Sequence, residues 1–208
     1  KTLLGFAEDN PDYVMEQARI VSWSPNNWSS SFDISKGSDD GLEVGDAVIT
    51  EYGALVGVIT ELGSTTATVG TVIDVNTSIG ALVGSNGAAA MLVGDYSLMK
   101  DGQARVTWLT EGAQLFRDDE ILTSGSGGNI PSGLVIGTIT SIQTEAAGQT
   151  EYGIITPSAD LDSLVQVFII TDFGGTAQTQ PETGTEQPEQ SEAPAESAAP
   201  SSPAATGG

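Results

Sequence analysis

The sequence contains no cysteine and no histidine. The first absence removes disulfides and thiolate metal sites. The second removes the usual zinc ligand, the commonest general base and every catalytic triad built on imidazole. Positive charge is scarce too: six Lys and Arg stand against 28 Asp and Glu, a net charge of −22. Phosphate recognition rests on Lys and Arg, so no nucleic-acid partner is expected. Electrostatic adhesion to anionic lipid is disfavoured for the same reason. No run approaches the roughly 20 apolar residues that span a bilayer. The chain opens at Lys1 with no signal-peptide pattern, and is expected to be a fragment whose upstream anchor has been removed.

One further absence is local. From Gly174 to Gly208 there is no aromatic residue, no Leu, Ile, Val or Met, and no Lys or Arg. Five of the nine prolines and five glutamates fall there. Such a segment buries too little apolar surface to offset its chain entropy, so residues 174–208 are expected to be a disordered acidic tail. Taking those five glutamates from the 28 acidic residues leaves 23 against six basic ones in residues 1–173, a net charge of −17. That length suits one large domain or two small ones.

What is present is a succession of short runs rich in Val, Ile and Thr: ARIVSWS, SSFDISKG, DAVIT, ALVGVITEL, ATVGTVID, AAAMLVG, ARVTWL, EILT, LVIGTITSI, EYGIITP and VQVFIIT. Gly, Asn, Asp and Ser clusters separate them. This pattern predicts an all-β barrel or sandwich. Before it, Leu3-Leu4-Gly5-Phe6 reads as the end of a helix that stops near Asn10-Pro11. Residues 158–165 read as one helical turn, with Ser158 as its N-cap. Trp108, in ARVTWL, is expected in the core. Leu42 and Val44 are expected to point one way.

The sequence also echoes itself. Asp46–Thr50 aligns with Asp119–Thr123 at an offset of 73, and Gly57–Thr60 with Gly137–Thr140 at an offset of 80. The difference, seven residues, falls inside the loop TSGSGGNIPSG (Thr123–Gly133). Two similar β units are therefore expected, the second with an expanded hairpin loop.

That loop admits three chemistries. Ser126 lies in a nucleophile-like SGSGG context. A nucleophilic serine needs a base, and Asn129, not lysine, stands three residues after Ser126. A phosphate-binding loop needs Lys where Leu134 stands, and a helix where an apolar run follows. The remaining reading is a connector, whose glycines supply turns and whose Ile130-Pro131 plugs the barrel. The acidic clusters Asp39-Asp40 and Asp118-Asp119-Glu120 lie at predicted turns, where Asp bonds local backbone. A calcium loop starting at Asp33 would need glycine at Ser38. No enzymatic activity, cofactor or metal is expected. Gly37, Gly41, Gly45, Gly57, Gly125, Gly128, Pro131, Gly133 and Gly137 are assigned structural turn roles.

These pieces occur in a specific order. Ala18-Arg19-Ile20-Val21, Trp28, Lys36 through Gly45, Val48-Ile49-Thr50, Ala54–Val58 and Asp74–Ser78 resemble the first half of the MreC family, the rod shape-determining proteins. DEILTSGSGGNIPSGLVIGTI and PSADLDSLVQVFII resemble its second half; Ile130 replaces an aromatic residue before the proline. The resemblance covers residues 18–172. It implies two small β-barrels, arranged like those of trypsin-like proteases but without catalysis. Residues 1–17 would end a coiled coil, 18–84 form the first barrel and 85–173 the second, with strands open to exchange between them. It further implies a single-pass membrane protein with this region on the extracytoplasmic side. The family dimerises and self-assembles, and binds a class B penicillin-binding protein. It works with MreD, RodA and MreB to organise peptidoglycan synthesis along the side wall. Trp28 and Ile130 are the candidate partner-binding residues. A peptide-binding PDZ-like module, or another β-barrel binding module, is the alternative, since GLEVGDAVIT also suits a turn of that kind. It would require a helix beside the groove strand, and none of useful length is predicted in residues 18–157.

Overall fold

The computed structural model describes residue 6 and residues 10–26, 29–109, 114–144 and 151–174. The expectations placed on Trp28 and on residues 175–208 lie outside the described residues.

Twelve strands are described: β1 (Val14–Asn26), β2 (Ser29–Ile34), β3 (Ala47–Ile49), β4 (Leu55–Leu62), β5 (Ala67–Thr71), β6 (Ser78–Val83), β7 (Ala89–Val93), β8 (Ala104–Thr107), β9 (Glu120–Thr123), β10 (Val135–Thr144), β11 (Glu151–Pro157) and β12 (Gln166–Asp172). They close into two barrels. Closure gives each described strand a hydrogen-bonded neighbour on both sides along part of its length. Both barrels lie within one compact unit, residues 1–177.

Going round the second barrel, the strands run β6-β7-β8-β11-β10-β9. Round the first they run β12-β1-β2-β5-β4-β3. The two orders are the same, except that the first barrel takes its opening strand from the far end of the chain. β12 pairs antiparallel with both β1 (Gln17 opposite Phe168) and β3 (Val48 opposite Ile169). A division into residues 18–84 and 85–173 therefore departs from the strand pairing in two places. β6 belongs to the second barrel and β12 to the first. The N-terminal segment is also shorter than residues 1–17, because β1 begins at Val14. Phe6 is helical, and its carbonyl accepts the backbone N–H of Asn10 at 3.1 Å.

Alternation along strands normally buries one face. β3, β4 and β12 bury both. Val48, Val56, Val167 and Ile169 point into the first barrel with Phe32 and Ile34. Ala47, Ile49, Leu55, Phe168 and Ile170 point the other way, into a cluster with Ile79, Leu92, Ile121 and Ile136 of the second barrel. These three strands are thus a wall shared by two cores. That is why VFII and AVI read as continuous apolar runs.

The echo in sequence is an echo in structure. Val48 pairs with Gly57, and Ile121 with Gly137. Gly45 N–H donates to Ile59 O, and Asp118 N–H to Ile139 O. Asp46 accepts the Glu43 N–H at 2.8 Å, and Asp119 accepts the Phe116 N–H at 3.1 Å. The Thr50 hydroxyl oxygen accepts from Ala54 N–H, and that of Thr123 from Leu134 N–H. Every pair keeps an offset of 73 before the loop and 80 after it.

Three expectations are corrected. Residues 158–165 form no helix; a turn over Asp160–Ser163 replaces it, with Ser163 N–H donating to Asp160 O at 3.3 Å. Val165 O is then committed to Ile20 N–H, which draws the chain straight into β12. Trp108 is 72% exposed, because β8 ends at Thr107 and the backbone turns left-handed at 108 (φ 53°). Leu42 is buried and Val44 exposed, because the segment is not a strand: Val44 lies in a turn with Gly45 (φ 99°).

Candidate functional site

The loop between β9 and β10 is a built connector. Thr123 anchors it from beneath: its hydroxyl donates to Pro131 O and accepts from Leu134 N–H at 2.9 Å. Pro131 is buried, and Ile130 is half-buried against the core shared by the barrels. Ile130 is therefore largely spent on packing. Asn129 reaches across to the first barrel, where its amide donates to Val44 O at 3.2 Å. A Cβ added at Gly45 would sit 2.7 Å from that amide nitrogen. Ser126 is exposed, and its hydroxyl partner is another hydroxyl, Ser124, at 2.9 Å.

The assigned turn positions divide into two kinds. Gly41, Gly45, Gly125, Gly128 and Gly133 have positive φ. Gly37, Gly57 and Gly137 do not; they provide room, since a Cβ there would overlap the carbonyl oxygens of Gly63, Gly70 and Thr156 respectively.

The acidic clusters serve local structure. Asp40 pairs with Lys36 and accepts Gly37 N–H at 3.1 Å. The Lys36 contact holds its carboxyl below the usual range. Asp119 accepts from Ser85 and from Phe116 N–H. Asp74, almost fully buried, accepts from Ser29, Ser30 N–H and Asn76, tying the strand β2 to the connection that leads into the second barrel. Among the described residues, no cluster of acidic side chains is arranged to hold a metal ion.

Among the described residues three clefts are open, and two of them carry an aromatic side chain. One is a cleft of about 490 Å³ where Trp23 and Ser30 of the first barrel face Lys100 and Asp101 of the second. Trp23 is partly exposed and lies against buried Phe32, centroids 4.8 Å apart. The other is a groove of about 380 Å³ between the β3–β4 turn and the segment leading into β12. Tyr52 and Val165 stand on it, 59% and 75% exposed. Neither residue was singled out by sequence reasoning. The available signal was Val165, an apolar residue set apart from the run VFII by Gln166, and an aromatic residue in the short turn Glu51-Tyr52-Gly53.

Comparison with known proteins follows the same outline. Residues 20–171 match the family described as rod shape-determining protein MreC, barrel core. The cell shape-determining protein MreC of Bacillus subtilis is 30% identical over 186 residues, covering 86% of this chain and 64% of that protein. The chain thus spans a little under two thirds of that relative's length. A solved MreC structure from Listeria monocytogenes superposes with a TM-score of 0.70 at 29% identity, covering 85% of this chain and 87% of that one. A Helicobacter pylori structure of a complex between the penicillin-binding protein PBP2 and MreC shares the fold. Its TM-score is 0.60 at 15% identity, with 78% of this chain and 99% of that one covered.

Proposed function

This chain belongs to the MreC family of rod shape-determining proteins, and we propose that it is a non-enzymatic scaffold that binds and regulates a class B penicillin-binding protein during bacterial cell elongation. The observation that carries the reading is the family match across both barrels, residues 20–171, combined with a related fold solved in complex with a penicillin-binding protein. The physical character of the molecule suits the role. Two closed barrels share one buried wall, so the pair offers a rigid surface. A rigid surface regulates by differential affinity: it shifts a partner towards whichever conformation it binds more tightly.

The wider setting belongs to the same proposal. The scaffold works with MreD, RodA and MreB, associates with itself, and is held at the membrane by an N-terminal helix with the barrels on the extracytoplasmic side. No helix among the described residues is long and apolar enough to cross a membrane.

Biolayer interferometry against the purified class B penicillin-binding protein of the same organism tests the reading. Saturable binding is expected. No binding up to about 1 mM, an affinity of about −4 kcal/mol, would remove it. A serine-reactive fluorophosphonate is expected to leave Ser126 unlabelled; labelling there would replace a scaffold with a hydrolase.

A further inference from the structure

We infer that the groove between the β3–β4 turn and the segment leading into β12 docks a peptide segment of the penicillin-binding protein that carries a bulky apolar side chain beside lysine or arginine. The inference rests on the function proposed above and assigns it a place. Ala54, Ala159 and Leu164 contribute apolar surface to the groove, and Tyr52 and Val165 project from its rims. Two large apolar side chains, each more than half exposed on one concavity, mark a site built for contact.

Both walls are fixed before a partner arrives. The Thr50 hydroxyl oxygen accepts Tyr52 N–H and Ala54 N–H, each at 3.2 Å, and Gly53 N–H donates to Thr50 O at 3.0 Å. Phe6 presses on Gly53 so closely that a Cβ there would overlap its ring. On the other wall, Val165 O accepts Ile20 N–H at 3.1 Å. Binding at such a site loses little conformational entropy in the host.

Charge selects the occupant. Glu51 and Asp160 line the groove, and no Lys or Arg does. The neighbouring Glu51 carboxylate raises the Tyr52 phenol above its ordinary range. The chain's own residues 174–208 have no apolar side chain larger than proline and no cation, so they cannot fill the groove. A second copy docked groove to groove would set Glu51 and Asp160 against their own counterparts, and like charges oppose that contact, so self-association belongs to another surface. A different, cationic partner is what remains.

The test uses the full chain against the class B penicillin-binding protein of the same organism in detergent, by interferometry, with folding of each variant checked by circular dichroism. Tyr52→Ala with Val165→Ser is expected to weaken binding about tenfold or more, mainly through faster dissociation. Glu51→Lys with Asp160→Lys is expected to slow association at low salt, an effect that fades at about 0.5 M salt. Trp108→Ala, an exposed residue outside the groove, is expected to bind as wild type. If wild type binds and both groove variants bind equally well, the groove is not the site and the scaffold function stands. If wild type itself fails to bind, the function fails first. If the groove variants lose self-association while keeping the penicillin-binding protein, the groove is a copy-to-copy interface and the inference is overturned.

Discussion

Gly57 and Gly41 show two reasons for the same residue type. At Gly57 the backbone is ordinary, but a Cβ would overlap the Gly70 carbonyl on the neighbouring strand; Gly137 meets Thr156 in the same way. Alanine at either position must push two strands of a closed barrel apart, and about 3 kcal/mol of stability is expected to be lost in urea titrations. Gly41 has φ 85°, and a methyl group there would meet nothing within 4 Å, so Gly41→Ala should cost only about 1 kcal/mol of left-handed strain. Equal losses at 57 and 41 would refute the distinction. Asp46 adds a titration. Burial raises its carboxyl above the ordinary range, against the pull of the Glu43 N–H it accepts, and the Glu43 carboxylate adds to the rise. The ionised form therefore destabilises the fold above the folded pKa, and that cost disappears as pH falls through it. Asp46→Asn keeps an acceptor for Glu43 N–H. It should melt higher than wild type at pH 7, with the gap closing towards pH 3; a gap that widens in acid would refute the assignment.

At the scale of elements, the repeated hairpin explains how a ten-residue loop and a three-residue turn do one job. Thr50 closes Glu51-Tyr52-Gly53 by accepting Ala54 N–H, and Thr123 closes residues 124–133 by accepting Leu134 N–H. Thr123 also donates to Pro131 O, so Thr123→Val leaves a buried donor and a buried acceptor unpaired. A loss of about 2 kcal/mol is expected. Contact of the loop with Val44 should loosen as well, read as faster amide exchange at Gly45 and Asp46; unchanged exchange and stability would show that the hydroxyl is not the anchor. Much of this was legible in the sequence. Val, Ile and Thr runs marked the strands, and the offsets of 73 and 80 marked the paired hairpins. What was not legible depends on the third dimension. Trp108 sits in apolar company in sequence, yet the left-handed turn at the end of β8 exposes it. SADLDSLV has a capping serine and helix-compatible residues, yet the pull of β12 into the first barrel leaves room only for a turn.

The molecule as a whole is closed by its last strand. No local pattern reveals that β12 completes a barrel begun at Val14, because its partners Gln17 and Ala18 lie about 150 positions earlier. The unbroken run VFII was the one trace, since a strand buried on both faces cannot alternate. Its consequence is mechanical. Val167 and Ile169 serve one core while Phe168 and Ile170 serve the other, so neither barrel can open without stripping the wall from its neighbour. The two barrels should therefore unfold as one cooperative unit. Trp23 reports on the first barrel and Trp108 on the second. In variants that keep only Trp23 or only Trp108 of the three tryptophans, fluorescence midpoints in urea should coincide with each other and with the far-ultraviolet circular dichroism midpoint. Phe168→Ala, which removes a side chain facing the second barrel from a strand of the first, should cost about 3–5 kcal/mol and lower both midpoints equally. If Phe168→Ala moved only the Trp108 transition, the wall would be an ordinary domain interface. The rigidity on which the scaffold reading leans would then have to come from elsewhere.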